Sequence, residues 1–115
     1  MYSLDEVRPV WAEINLDNLA HNMEEVKKNI KEGVLITAVV KANAYGHGSV
    51  KSAEVFLKNG ADRLAVATLS EAIELRKANI DAPILILGYT PRNQFSLVIK
   101  YDIIQTIYDS KDAQA

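Results

Sequence analysis

Four short apolar runs recur along the chain about every 20 to 30 residues, each separated from the next by a stretch with helical spacing. They are VLITAVV at 34–40, RLAVAT at 63–68, ILIL at 84–87 and IIQTIYD at 103–109. Runs rich in Val and Ile that stay apolar, rather than alternating, read as strands buried on both faces. Strands that alternate with helices pair in parallel, because each crossover is long enough to hold a helix. The expected fold class is therefore α/β, with a parallel sheet.

The connecting segments carry their own signals. Leu19, Met23, Val26 and Ile30 mark one face of a helix, with Asp17 as its expected N-cap. Lys27, Lys28 and Lys31 suit its negative end, and Gly33 is the expected stop. Val50, Ala53 and Leu57 mark a second helix between Ser49, a candidate N-cap, and Gly60. Thr68 and Glu71 form a T-x-x-E capping box for a third, whose apolar face is Leu69, Ala72, Ile73 and Leu75. Phe95, Leu97, Val98 and Ile99 suggest a short fourth helix. WAEINL, at 11–16, alternates in part and reads as a short leading strand. Residues 1–33 are thus a leading strand and helix, and 34–115 hold about four βα strands.

The chain has 115 residues, enough for one small domain and short for an α/β barrel. DSKDAQA leaves the fourth strand, offers Ser110 as an N-cap and begins a helix-compatible run at which the sequence stops. That ending favours an incomplete domain over a small open sheet. Such a piece, with two unpaired apolar edges, is expected to be poorly stable alone. Apolar residues make up 49% and charged residues 24%, as in soluble globular proteins. The net charge of -2 and the lack of any long basic run point to no nucleic-acid or membrane-surface partner. Without cysteine there is no disulfide and no thiolate zinc site, and two histidines suggest no metal centre. The first 16 residues lack a signal-peptide pattern, and no apolar run is long enough to span a bilayer, so the expected location is cytoplasmic.

The stretch AVVKANAYGHG, at 38–48, carries the candidate chemistry. Lysines are seldom buried unless paired or functional. Lys41 directly follows Val39 and Val40, where the strand must leave the sheet. Reactive groups of parallel α/β folds gather at such carboxyl ends. A partly desolvated lysine there offers an amine, which a Schiff base requires. A lysine merely snorkelling to solvent satisfies the same position. Gly46 and Gly48 permit positive φ and close approach of a ligand, and a loop leading into a helix N-terminus suits a phosphate. An ordinary turn explains them equally. Tyr45 can donate a hydroxyl or simply pack; His47 reads as a supporting partner or a bystander, and His21 as structural.

AVVKANAYGHG closely resembles the pyridoxal-phosphate motif near the start of bacterial alanine racemases. WAEINLDNLAHN resembles that family's opening strand and helix, ATLSEAIELR its next strand–helix unit, and PILILG the one after. The resemblance runs over nearly the whole chain but covers only the first third of such an enzyme. It implies the N-terminal portion of a (β/α)8 TIM-type barrel, with a C-terminal β domain absent. It implies pyridoxal 5'-phosphate as cofactor, covalently held by Lys41, which is also one of two acid/base groups at the substrate α-carbon. It implies that Tyr45 hydrogen-bonds the cofactor phosphate and Leu87 lines the pocket. Alanine is then the substrate, and a homodimer making D-alanine for peptidoglycan the parent protein. The family's second base is a tyrosine from the partner's C-terminal domain, and none of Tyr2, Tyr89, Tyr101 or Tyr108 matches its motif. The 115 residues alone are therefore expected to be inactive. The alternatives are a related barrel enzyme, such as a broad-specificity amino-acid racemase, and a non-catalytic α/β module.

Overall fold

The computed structural model describes residues 9–115. Tyr2 and the first part of the leading segment lie outside them. The elements are helix α1 (Leu16–Lys28), strand β1 (Thr37–Val39), helix α2 (Ser49–Lys58), strand β2 (Arg63–Val66), helix α3 (Leu69–Lys77), strand β3 (Ile84–Ile86), helix α4 (Phe95–Lys100), strand β4 (Ile104–Gln105) and helix α5 (Ser110–Gln114). A 3-10 turn, Arg92–Gln94, leads into α4.

All three strand pairs are parallel, and the order is β1-β2-β3-β4. One face of the sheet, carrying Ala38, Val40, Leu64, Val66, Ile84 and Ile86, packs against the helices through Met23, Ala53, Leu69, Ala72, Leu75 and Val98. In register on the opposite face, Val39, Ala65, Leu85 and Ile104 form a row across the strands. Sequential strand order without reversal, with the helices on one side, is the winding of a (β/α) barrel and not of a doubly wound sheet.

The expected strands are all present but shorter than their apolar runs. VLITAVV is strand only over 37–39, and IIQTIYD only over 104–105. Outside the strands most of these residues are exposed, Val34, Leu35 and Ile107 among them, so an apolar run marks where a strand lies but not how far its ladder extends.

WAEINL forms no strand: residues 11–15 are irregular, with Val10 and Trp11 largely exposed. A strand needs a neighbour for its amides and carbonyls, and among the described residues none runs beside this segment. The N-cap of α1 is Asn15, whose side chain accepts from the Asn18 amide; Asp17 sits in the first turn instead. Helix α1 ends at Lys28, well before Gly33, because the Asn29 amide folds back onto the Val26 carbonyl. Asp109, not Ser110, caps α5 through the Lys111 amide.

The capping box of α3 forms as expected, with Thr68 accepting from the Glu71 amide and Glu71 reaching back to the Thr68 amide. At the other end of α3, the Arg76 guanidinium donates to four carbonyls: Ile80 (2.6 Å), Ala82 (2.8 Å), Tyr101 (2.9 Å) and Asp102 (2.9 Å). Two belong to the loop entering β3 and two to the loop entering β4. Arg76 thereby fixes the amino ends of two strands with one planar fork.

Candidate active site

At the carboxyl end of β1, the ladder persists one residue beyond the strand: the Val40 amide donates to the Ala65 carbonyl at 2.9 Å. Lys41 follows, partly buried, as expected for a strand-end lysine.

The next residues are not an ordinary loop. Ala42, Asn43, Ala44 and Tyr45 have φ of 51°, 55°, 54° and 56°, so the chain directly after Lys41 winds as a left-handed turn over 42–45. The left-handed helix costs about 1–2 kcal/mol per L-residue, because Cβ crowds the following carbonyl. Only Asn43 is a residue that visits this region readily. Such strain persists only where the surroundings over-determine the conformation.

The surroundings do so. The Ala44 amide donates to Val40 at 3.0 Å, Gly46 to Ala42 at 3.2 Å, His47 to Ala44 at 3.1 Å and Gly48 to Asn43 at 2.9 Å. The Asn43 side-chain oxygen accepts from the Ser49 amide at 2.9 Å and so joins the turn to the start of α2. Gly48, not Ser49, therefore stands at the N-cap position, and the cap comes from Asn43. The His47 ring donates from Nδ1 to the Ala44 carbonyl at 3.0 Å, which makes it a brace of this turn. Gly46 and Gly48 have φ of +91° and +92°, as their expected role requires.

Glu71 closes the arrangement. One carboxylate oxygen accepts from the Ala67 amide (2.8 Å) and the Thr68 amide (3.0 Å). The other accepts from the Ala42 amide at 2.6 Å, across to the first residue of the left-handed turn.

Tyr45 ends the turn and is 62% exposed. It borders a cleft shared with Leu19, His47 and Phe56. Leu87 lies immediately past β3, its amide on the Val66 carbonyl at 2.8 Å and its carbonyl accepting from the Tyr108 hydroxyl. The next residue admits no side chain, since a Cβ on Gly88 would sit 2.4 Å from the Ala67 carbonyl oxygen. Lys41 and Tyr45 thus share one turn, while Leu87 stands at the same end of the sheet, two strands away. Sequence reasoning missed Asn43 and the second role of Glu71. The available signal was that a capping box occupies one carboxylate oxygen and leaves the other unassigned.

Among the described residues, no three His, Cys, Asp or Glu side chains come together to hold a metal. No described helix is long and apolar enough to cross a membrane.

These features define an α/β protein of barrel winding, with a lysine amine on a strained turn at a strand's carboxyl end. Residues 14–115 match the family model described as alanine racemase, N-terminal domain. The chain belongs to the alanine racemase family. It is 57% identical over 102 residues to alanine racemase 1 of Clostridium acetobutylicum, covering 89% of this chain and 26% of that protein. The solved alanine racemase of Clostridium difficile 630 superposes with a TM-score of 0.87 at 49% identity, covering 90% of this chain and 28% of that one. That of Bacillus anthracis, solved with bound L-Ala-P, superposes with a TM-score of 0.89 at 42% identity, covering 93% and 28%. The chain therefore spans about a quarter of the length of the relatives it matches, in agreement with the expected N-terminal portion of a barrel.

Proposed function

We propose that this chain is the cofactor-holding part of a pyridoxal-phosphate-dependent amino-acid racemase that interconverts L- and D-alanine. The observation that carries the reading is Lys41, a partly buried amine held at a strand's carboxyl end within a chain of this family. Pyridoxal phosphate asks for an amine to take its aldehyde, donors for its phosphate and an apolar wall for its ring. Lys41, the exposed Tyr45 hydroxyl and the side chain of Leu87 fit those needs at one end of the sheet. Bound there, the cofactor supplies a conjugated, electron-withdrawing ring that makes an amino acid's α-proton acidic.

Lys41 first anchors the cofactor. The same Nζ would take or return the α-proton on one face of the substrate's α-carbon when the cofactor is bound. Inversion requires a second acid/base group on the opposite face, and Tyr45, Tyr89, Tyr101 and Tyr108 are not assigned that role. The second base and the substrate-carboxylate ligands lie outside this chain, in the rest of the barrel and a C-terminal β domain. The 115 residues alone therefore do not racemise alanine. The active form is a cytoplasmic homodimer, and its product serves peptidoglycan synthesis.

The test is borohydride trapping of pyridoxal phosphate on the complete protein, with peptide mapping, beside a racemisation assay. Lys41→Ala is expected to remove both the trapped adduct and turnover; normal racemisation by that variant sinks the reading. Tyr45→Phe is expected to weaken cofactor retention by about 1.5–3 kcal/mol, one hydrogen bond to a charged group, checked by cofactor titration.

A further inference from the structure

We propose that Glu71 is a positioning residue for Lys41: it holds the Ala42 amide and so fixes the lysine's backbone against the β2–α3 unit. The proposal rests on the reading of Lys41 as the cofactor-holding amine. Its basis is the pattern of bonds on either side of the lysine. The amide preceding Lys41, that of Val40, is tied to the Ala65 carbonyl at 2.9 Å. The amide following it, that of Ala42, is tied to Glu71 Oε2 at 2.6 Å. Both partners come from one βα unit, Ala65 from β2 and Glu71 from α3, so Lys41 is held to it on both sides.

A capping carboxylate has no need to reach a neighbouring unit. Glu71 completes its capping box with Oε1 alone, through the Ala67 and Thr68 amides. Oε2 is therefore available, and it meets the first amide of the left-handed run. That run is the strained part of the molecule, with four consecutive non-glycine residues at φ between 51° and 56°. A charge-assisted bond at its entrance keeps the turn from relaxing toward right-handed backbone, which would swing the lysine away from the sheet end.

Glu71→Gln separates this role from capping. Glutamine still serves a capping box, so its carbonyl oxygen keeps the Ala67 and Thr68 contacts. Its amide group then faces the Ala42 N–H, donor against donor. Thr68→Ala does the reverse, weakening the cap and sparing Oε2.

The experiment is peptide-resolved hydrogen exchange on the complete protein, with the rate of pyridoxal-phosphate attachment to Lys41 as a second reading. Glu71→Gln is expected to speed exchange over 41–48 about tenfold or more and to slow attachment about five- to tenfold, with exchange over 69–77 unchanged. Thr68→Ala is expected to speed exchange over 69–77 and leave attachment near the parent rate. Should Glu71→Gln lose the fold, Glu71→Asp, which keeps the charge but shortens the reach, is expected to deprotect 41–48 in the same selective way. Parent-like exchange over 41–48 together with a parent-like attachment rate overturns the positioning role alone. Equal deprotection of both segments by both variants reduces Glu71 to a helix cap and also overturns it. Failure of the parent protein to attach the cofactor at Lys41 overturns the lysine reading, and the positioning role with it.

Discussion

The two ends of helix α3 do opposite electrostatic work. At its amino end, the Glu71 carboxylate collects three backbone amides. At its carboxyl end, the Arg76 guanidinium collects four backbone carbonyls. Each charge complements the helix macrodipole at its own end. Each also leaves its own unit: Glu71 reaches back to the turn after β1, and Arg76 reaches forward to the loop before β4. One helix therefore fastens three consecutive βα units.

The loops being fastened differ in kind. Near Arg76, positive φ occurs at single residues, Asn79 and Asp102, each just past a helix end. That is an ordinary way to stop a helix, with residue types that tolerate it. Near Glu71, four consecutive residues are left-handed, and two of them are alanines. The face at the amino ends of the strands, near Arg76, is relaxed and stapled, whereas the face at their carboxyl ends, near Glu71, is strained and held. Strain concentrated at the end that carries Lys41 is what a functional face of a parallel α/β fold predicts.

The contrast can be broken by substitution. The largest effect on stability is expected from Arg76→Ala, which strips four carbonyls of their donor. It should cost about 3 kcal/mol or more, read as a lower denaturant midpoint with an unchanged slope. Arg76→Lys should recover little, since a point charge cannot reproduce the fork. If Arg76→Ala instead proved nearly neutral, the amino-end face would not be a staple. A smaller effect, about 1–2 kcal/mol, is expected from Gly46→Val. No atom stands within 4 Å of a Cβ built on Gly46, so that cost comes from its φ of +91° alone. It should appear as a local loss of hydrogen-exchange protection over 41–48, and unchanged protection there would mean that the turn is not strained.

The smallest effect belongs to the exposed pair of Glu25 and Lys28 on α1, 3.1 Å apart, which bridges nothing. A hydrogen bond from Lys28 and its charge hold the Glu25 carboxyl below its ordinary value. Whatever stability that provides is present above the usual carboxylate range and fades as pH falls through the lowered value. Glu25→Gln should leave the thermal midpoint at neutral pH unchanged within error, since solvent and salt screen the pair. A clear drop would mean that surface charge, and not bridging between units, decides which pairs matter.

Much of this arrangement was legible in the chain. The Val- and Ile-rich runs disclosed four parallel strands, and Thr68 with Glu71 disclosed the start of α3, because both signals are local and act through burial or a single turn. AVVKANAYGHG disclosed the family and singled out Lys41 and Tyr45. WAEINL misled because alternation shows what a strand would bury and not whether a partner lies beside it. Asp17 and Ser110 misled because several polar residues near a helix start compete for one cap, and backbone geometry chooses among them.

By itself, the sequence determined which segments are apolar, which residues can cap and where glycine permits positive φ. Tertiary structure alone decided that Ala42, Asn43, Ala44 and Tyr45 wind left-handed. It alone decided that Glu71 spends its second oxygen on the neighbouring unit and that Arg76 serves two loops. The reason is physical. Local preference opposes a left-handed alanine, so the bonds within the turn are joined by one from a residue distant in the chain, Glu71 to Ala42, which the sequence does not announce.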